Sequence, residues 1–136
     1  MNRFLVYYDP EGMEELCKLS PYNLKKDLKN ISEDEIQRIA EDVANELYNG
    51  VQRPPVTSMM YWSRNRKAAY GKIRTVDVTK GNGKSNGYRC IALVDMVNYR
   101  AFILHLYKHG KNDKITQSEK KELANLVNKY VEALGV

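Results

Sequence analysis

The sequence predicts an α+β domain: a four-stranded, mostly antiparallel sheet with two helices in the N-terminal half and one C-terminal helix. Three observations lead there. Runs of strand-forming residues open the chain and return three times between residues 72 and 108. Two stretches place apolar residues at helical spacing directly behind a capping box. The order is strand, helix, helix, three strands, helix, so most strands are consecutive rather than alternating with helices. With 136 residues and no repeat, low-complexity tract or linker, residues 1–136 read as one domain.

Arg3-Phe4-Leu5-Val6-Tyr7-Tyr8 predicts a strand over about 3–8, stopped by Asp9-Pro10-Glu11-Gly12. Residues 12–29 read as partly helical with a break near Pro21, because the residue before proline avoids helical angles. Ser32 and Glu35 form a capping box. Ile36, Ile39, Ala40, Val43, Ala44 and Leu47 then make one buried helical stripe, ending near Gly50. Glu33, Asp34, Glu41, Asp42 and Glu46 are expected on its solvated face. Residues from Pro54-Pro55 to Gly71 carry Met59, Met60, Tyr61, Trp62, Arg64, Arg66 and Lys67, and their pattern does not choose between loop and short helix. Lys72–Val78, Tyr88–Asp95 and Arg100–Lys108 read as strands forming an antiparallel meander, the last two joined in a hairpin by Met96-Val97-Asn98-Tyr99. Thr116 and Glu119 form a second capping box before Leu123, Leu126, Val127, Tyr130, Val131 and Leu134. The helices are expected on one face of the sheet.

Net charge is +5, unevenly spread. Residues 1–50 hold 6 Lys+Arg against 11 Asp+Glu, whereas residues 51–115 hold 13 against 3. Such a concentrated basic segment attracts polyanions. Cys17 and Cys90 match no metal-site spacing, and Cys90 in its apolar run reads as a buried thiol suited to a reducing cytosol. No signal peptide is evident, and no apolar stretch nears the roughly 20 residues of a membrane span. Neither a metal nor a cofactor is expected.

The basic charge concentrates at two corners. Lys80-Gly81-Asn82-Gly83-Lys84-Ser85-Asn86-Gly87-Tyr88-Arg89 leads into one apolar run, and Leu106-Tyr107-Lys108-His109-Gly110-Lys111-Asn112-Asp113-Lys114 follows the next. Gly83-Lys84-Ser85 ends like a P-loop, but Val78 takes the place of the first glycine and the loop enters a strand, not a helix.

In that loop, in the apolar strand and hairpin after it, in the Ala101–Lys108 strand and in the terminal helix, the chain resembles the RelE-type toxin family of bacterial type II toxin–antitoxin systems. The resemblance covers residues 72–131 best; residues 1–50 match only in element order, and 51–71 poorly. It implies a RelE-like fold and a small endoribonuclease that cuts messenger RNA, often on the ribosome, and is held inactive by an antitoxin protein. It also implies that Arg89 serves the scissile phosphate and that Lys108 stands at the family's lysine. The related ParE-type toxins share the fold but inhibit DNA gyrase, and a non-catalytic RNA- or ribosome-binding module is a third reading.

Metal-free RNA cleavage needs a base for the 2′-hydroxyl, cations for the phosphoryl oxygens and an acid for the leaving 5′-oxygen. Arg89 suits bidentate grip of phosphate, Lys84 and Lys108 add charge, and His109 suits proton transfer. Arg74, Lys80, Lys111 and Lys114 are candidate RNA contacts. Tyr88 and Tyr107 can stack on a base, although packing within the strands suits them better. Trp62 with its neighbouring arginines is a weaker candidate RNA surface. His105 falls inside an apolar strand, where alternation puts it on one face with Ile103 and Tyr107, and it reads as structural.

Overall fold

A computed structural model describes residues 3–49, 57–75, 87–108 and 114–135. The chain runs β1 (Leu5–Tyr7), α1 (Glu14–Leu19), α2 (Leu24–Asp27), α3 (Glu33–Asn49), β2 (Thr57–Trp62), β3 (Ala68–Arg74), β4 (Tyr88–Asp95), β5 (Arg100–Lys108) and α4 (Gln117–Leu134). Short 3₁₀ turns at Leu28–Asn30 and Arg64–Arg66 link α2 to α3 and β2 to β3. The class is α+β, and the sheet has five strands in the order β1-β5-β4-β3-β2.

Local signals set most of the helix ends. Ser20 Oγ accepts the Tyr22 N–H at 3.1 Å, so the chain breaks at Ser20-Pro21. Asn23 caps α2 through the Lys26 N–H, and Ser32 caps α3 through the Glu35 N–H. Thr116 and Glu119 complete both halves of the capping box on α4. The buried stripe of α3 is Ile36, Ile39, Ala40, Val43 and Leu47. Glu46, expected on the solvated face, is only 5% exposed. It lies one helical turn beyond Val43 and beside Leu47, within the stripe itself.

The sheet departs from expectation in its number of strands and in where β3 begins. Residues 57–62 are a strand, so there are five strands rather than four: Met59, Met60, Tyr61 and Trp62 suit a pleated surface, and β2 pairs antiparallel with β3. β3 begins at Ala68, earlier than expected, and residues 76–78 lie outside the described residues. β1 pairs parallel to β5, with Leu5 opposite Arg100 and Tyr7 opposite Phe102, so the sheet is mixed.

Helices also cover both faces, not one. Residues opposite each other across a ladder point the same way. Asp95, Leu93, Ile91 and Arg89 of β4 therefore share a face with Arg100, Phe102, His105 and Tyr107 of β5. On that face Tyr130 of α4 donates to Asp95, Asn128 of α4 pairs with Tyr61, and Asp27 of α2 meets His105. The opposite face carries Cys90, Ala92, Val94, Ile103 and Leu106, all buried, and continues into Phe4 and Val6 of the β1 segment, beside α3. A strand covered on both sides reads as an unbroken apolar run, as 90–94 does. Burial pushes the Cys90 thiol well above its ordinary range, so it stays a neutral packing group.

A β-bulge interrupts the β4–β5 ladder. Ile91 pairs with His105, but Ala92 pairs with Ile103, leaving Leu104 as the extra residue. The bulge separates His105 from Ile103 and places it with Phe102 and Tyr107 instead.

Candidate nucleic-acid interface

The end of the sheet where β3 stops, β4 begins and β5 ends gathers cationic and aromatic side chains on the face shared with α2 and α4. Arg74 of β3 stands opposite Arg89 of β4, which stands opposite Tyr107 of β5. One pair inward, Lys72 stands opposite Ile91, and Ile91 opposite His105. Three cations, an imidazole and a phenol thus occupy two adjacent rows of the sheet. Arg74 and Arg89 are thus cross-strand neighbours on this face.

α2 completes the cluster. Asp27 Oδ2 lies 2.7 Å from His105 Nδ1 and accepts the Leu106 N–H at 3.1 Å. The reason is a gap in the sheet: the pairing of β1 with β5 stops at Phe102, so the N–H of Leu106 has no strand on that side. The His105 ring is stacked between Tyr22, 4.2 Å away and within 1° of parallel, and Tyr107, 4.8 Å away. Burial first, then the charges of Glu119 and Tyr107, push the Tyr22 phenol up, which keeps it protonated.

The expected site residues fall into three groups. Arg74, Arg89 and Tyr107 come together as described, with Arg74 half-buried. Arg89, expected to reach solvent, is only 3% exposed. It lies inside a strand covered on both faces, and it is not without a partner there. Tyr88 is also buried, so it packs rather than offering a surface for bases, and the Lys108 ammonium sits 5.1 Å from its ring centre. Lys108 is exposed at the same end of the sheet, but its register with Tyr88 turns it to the α3 side, opposite to Arg89. Lys114 is exposed just ahead of α4. Lys80, Lys84, His109 and Lys111 lie outside the described residues.

Sequence reasoning missed Asp27 and Tyr22, the partners of His105. The signal lay in the pairing of residues 78 positions apart, which no local pattern carries. At the far end of the hairpin, Asp95 is fully buried. It accepts from Val97 N, Asn98 N, Asn98 Nδ2, Arg100 and Tyr130 Oη. Burial alone would raise its pKa; these hydrogen bonds outweigh burial and hold it below the ordinary carboxylate range. That network fixes the turn and the seat of α4. Among the described residues no helix is long and apolar enough to cross a membrane.

Compared with family models, curated proteins and solved structures, the chain matches none.

Proposed function

We propose that this protein is an endoribonuclease toxin of the RelE type, cutting messenger RNA on the ribosome by attack of the 2′-hydroxyl without a metal. The observation that carries the reading is the convergence of Lys72, Arg74 and Arg89 with His105 and Tyr107 on one face at one end of the sheet. Fixed cations at that point supply the electrostatic stabilisation that a phosphoryl transition state needs. In sequence, Lys80 and Lys84 fall between β3 and β4, and Lys108, Lys111 and Lys114 fall between the end of β5 and α4, a concentration of charge that suits a polyanion. Work of this kind belongs in the cytoplasm, under an antitoxin protein that covers the basic end with acidic or helical segments.

The 3% exposure of Arg89 favours a second reading, a non-catalytic RNA- or ribosome-binding module. There the buried guanidinium only shapes the field beneath surface lysines. Purified protein incubated with an mRNA, with and without programmed ribosomes, separates the two when product 5′ ends are mapped. Cuts that require ribosomes are expected. Cuts on free RNA would keep the nuclease and remove ribosome dependence. RNA retained uncut by folded protein would select the binding module.

A further inference from the structure

We infer that His105, oriented by Asp27 and clamped between Tyr22 and Tyr107, is the general base for the 2′-hydroxyl in the cleavage proposed above, an inference that rests on that reading. The hydrogen bonds assign the ring's tautomer. Asp27 Oδ2 already accepts the Leu106 N–H, so it is a carboxylate oxygen acting as acceptor, and the contact at 2.7 Å makes His105 Nδ1 the donor. A neutral ring then carries its free lone pair on Nε2. No described residue hydrogen-bonds to Nε2, and the side chain keeps 24% of its surface exposed, against 16% for Asp27. A carboxylate behind one ring nitrogen and an open second nitrogen make an oriented base.

Position supports the same role. His105 is the diagonal neighbour of Arg89 across the β4–β5 ladder and adjoins Tyr107 along its own strand. Arg74, half-buried in the same row as Arg89 and Tyr107, is the arginine that a phosphate on this face could meet. The two stacked phenols fix the ring plane, as a proton-transfer group requires. The bulge at Leu104 turns His105 to this face at all.

The step balances without a metal. Nε2 takes the 2′-hydroxyl proton as O2′ bonds to phosphorus. The P–O5′ bond breaks, and the 5′-oxygen takes a proton from water. The hydroxide left behind recovers the proton from the imidazolium, which the Asp27 carboxylate steadies meanwhile. The products are a 2′,3′-cyclic phosphate and a 5′-hydroxyl.

The test compares cleavage on programmed ribosomes by wild type, His105→Gln and Asp27→Asn across pH, with binding of a 2′-O-methyl RNA oligonucleotide as the readout independent of cleavage. The groups around the ring are Asp27 of α2, Tyr22 before it, Tyr107 of β5, Arg89 of β4, Lys72 of β3 and Glu119 of α4 near Tyr22. Asp27 is the anion in hydrogen-bond contact. Wild type should cut, and His105→Gln should cut about 100-fold slower or worse while binding the oligonucleotide as well as wild type does. Asp27→Asn keeps an acceptor for Leu106 but loses the carboxylate that orients the ring, so its cleavage should fall at least about tenfold while oligonucleotide binding holds. A folded His105→Gln protein cutting within about threefold of wild type overturns the role and leaves the nuclease reading standing. If His105→Gln does not fold, a folded Asp27→Asn protein that cuts within about threefold of wild type overturns it. Wild type that binds RNA but never cuts overturns the nuclease reading, and this role with it.

Discussion

At the scale of single residues, charge is held in place by specific partners. Asp95 has its carboxylate form stabilised by Tyr130, Asn98 and Arg100 despite complete burial. Its folded pKa lies below its unfolded value, so the unfolded chain binds the proton more tightly. The stability it contributes is complete above the ordinary carboxylate range near pH 4 and is lost as pH falls toward the depressed folded value. Urea unfolding should therefore show stability dropping below about pH 4, and Asp95→Asn should flatten that drop. Tyr130→Phe removes the 2.6 Å donor to Asp95 and should cost about 1–3 kcal/mol at pH 7. A change under about 0.5 kcal/mol would mean that Arg100 and Asn98 suffice. Arg89→Ala carries a double effect, because the side chain is buried. It should lose RNA cleavage and also destabilise the fold by about 1–3 kcal/mol, whereas Arg74→Ala on the half-buried neighbouring strand should lower RNA affinity with little change in Tm.

At the scale of elements, α4 owes its start to a reciprocal pair of contacts. The α4 capping box satisfies two backbone donors at once. Thr116→Ala should cost about 1 kcal/mol, measured by urea unfolding, and an unchanged midpoint would show that tertiary packing alone holds the first turn. β3 places Gly71 opposite Met59 of β2. A Cβ there would fall 2.5 Å from Met59 Cε and 2.8 Å from the Ser58 carbonyl oxygen. The methionine tip can swing away, but the carbonyl belongs to the paired backbone. Gly71→Ala should destabilise by about 1–3 kcal/mol, and a neutral Tm would mean that β2 slides without loss. The bulge in β5 shows how one residue reassigns an element's chemistry: His105 moves from the α3 side of the sheet to the side of α2 and the arginines.

At the scale of the molecule, the acidic N-terminal part and the basic middle of the sequence are folded against one another. α3 carries Glu33, Asp34, Glu41 and other carboxylates, while Lys72, Arg74 and Arg89 stand at the end of the sheet on the opposite face. Binding of a single-stranded RNA oligonucleotide should weaken steeply with salt, and Arg74→Ala and Lys108→Ala should each reduce the logarithmic salt slope by about 0.7. A slope unchanged in both variants would place the RNA elsewhere. Comparing the two also reports on geometry, because Arg74 and Lys108 turn to opposite faces: loss in both would mean that RNA wraps the end of the sheet.

The sequence by itself determined what depends on neighbours a few residues apart. Ser32 and Thr116 begin helices, Pro21 breaks one, the apolar spacing of 36–47 and 123–127 picks a buried face, and Met96–Tyr99 turns the last hairpin. It also located the basic end of the chain's charge, since composition survives folding. Only the tertiary structure decided the rest, because each remaining feature is a pairing between distant segments. β1 crosses to lie parallel to β5, covering by helices on both faces buries Arg89, and the bulge at Leu104 overrides simple alternation. Asp27 reaches His105 because β1 stops short and leaves an edge N–H to satisfy. A periodic pattern reports which side of its own helix or strand is apolar; it carries no record of which element arrives to cover that side.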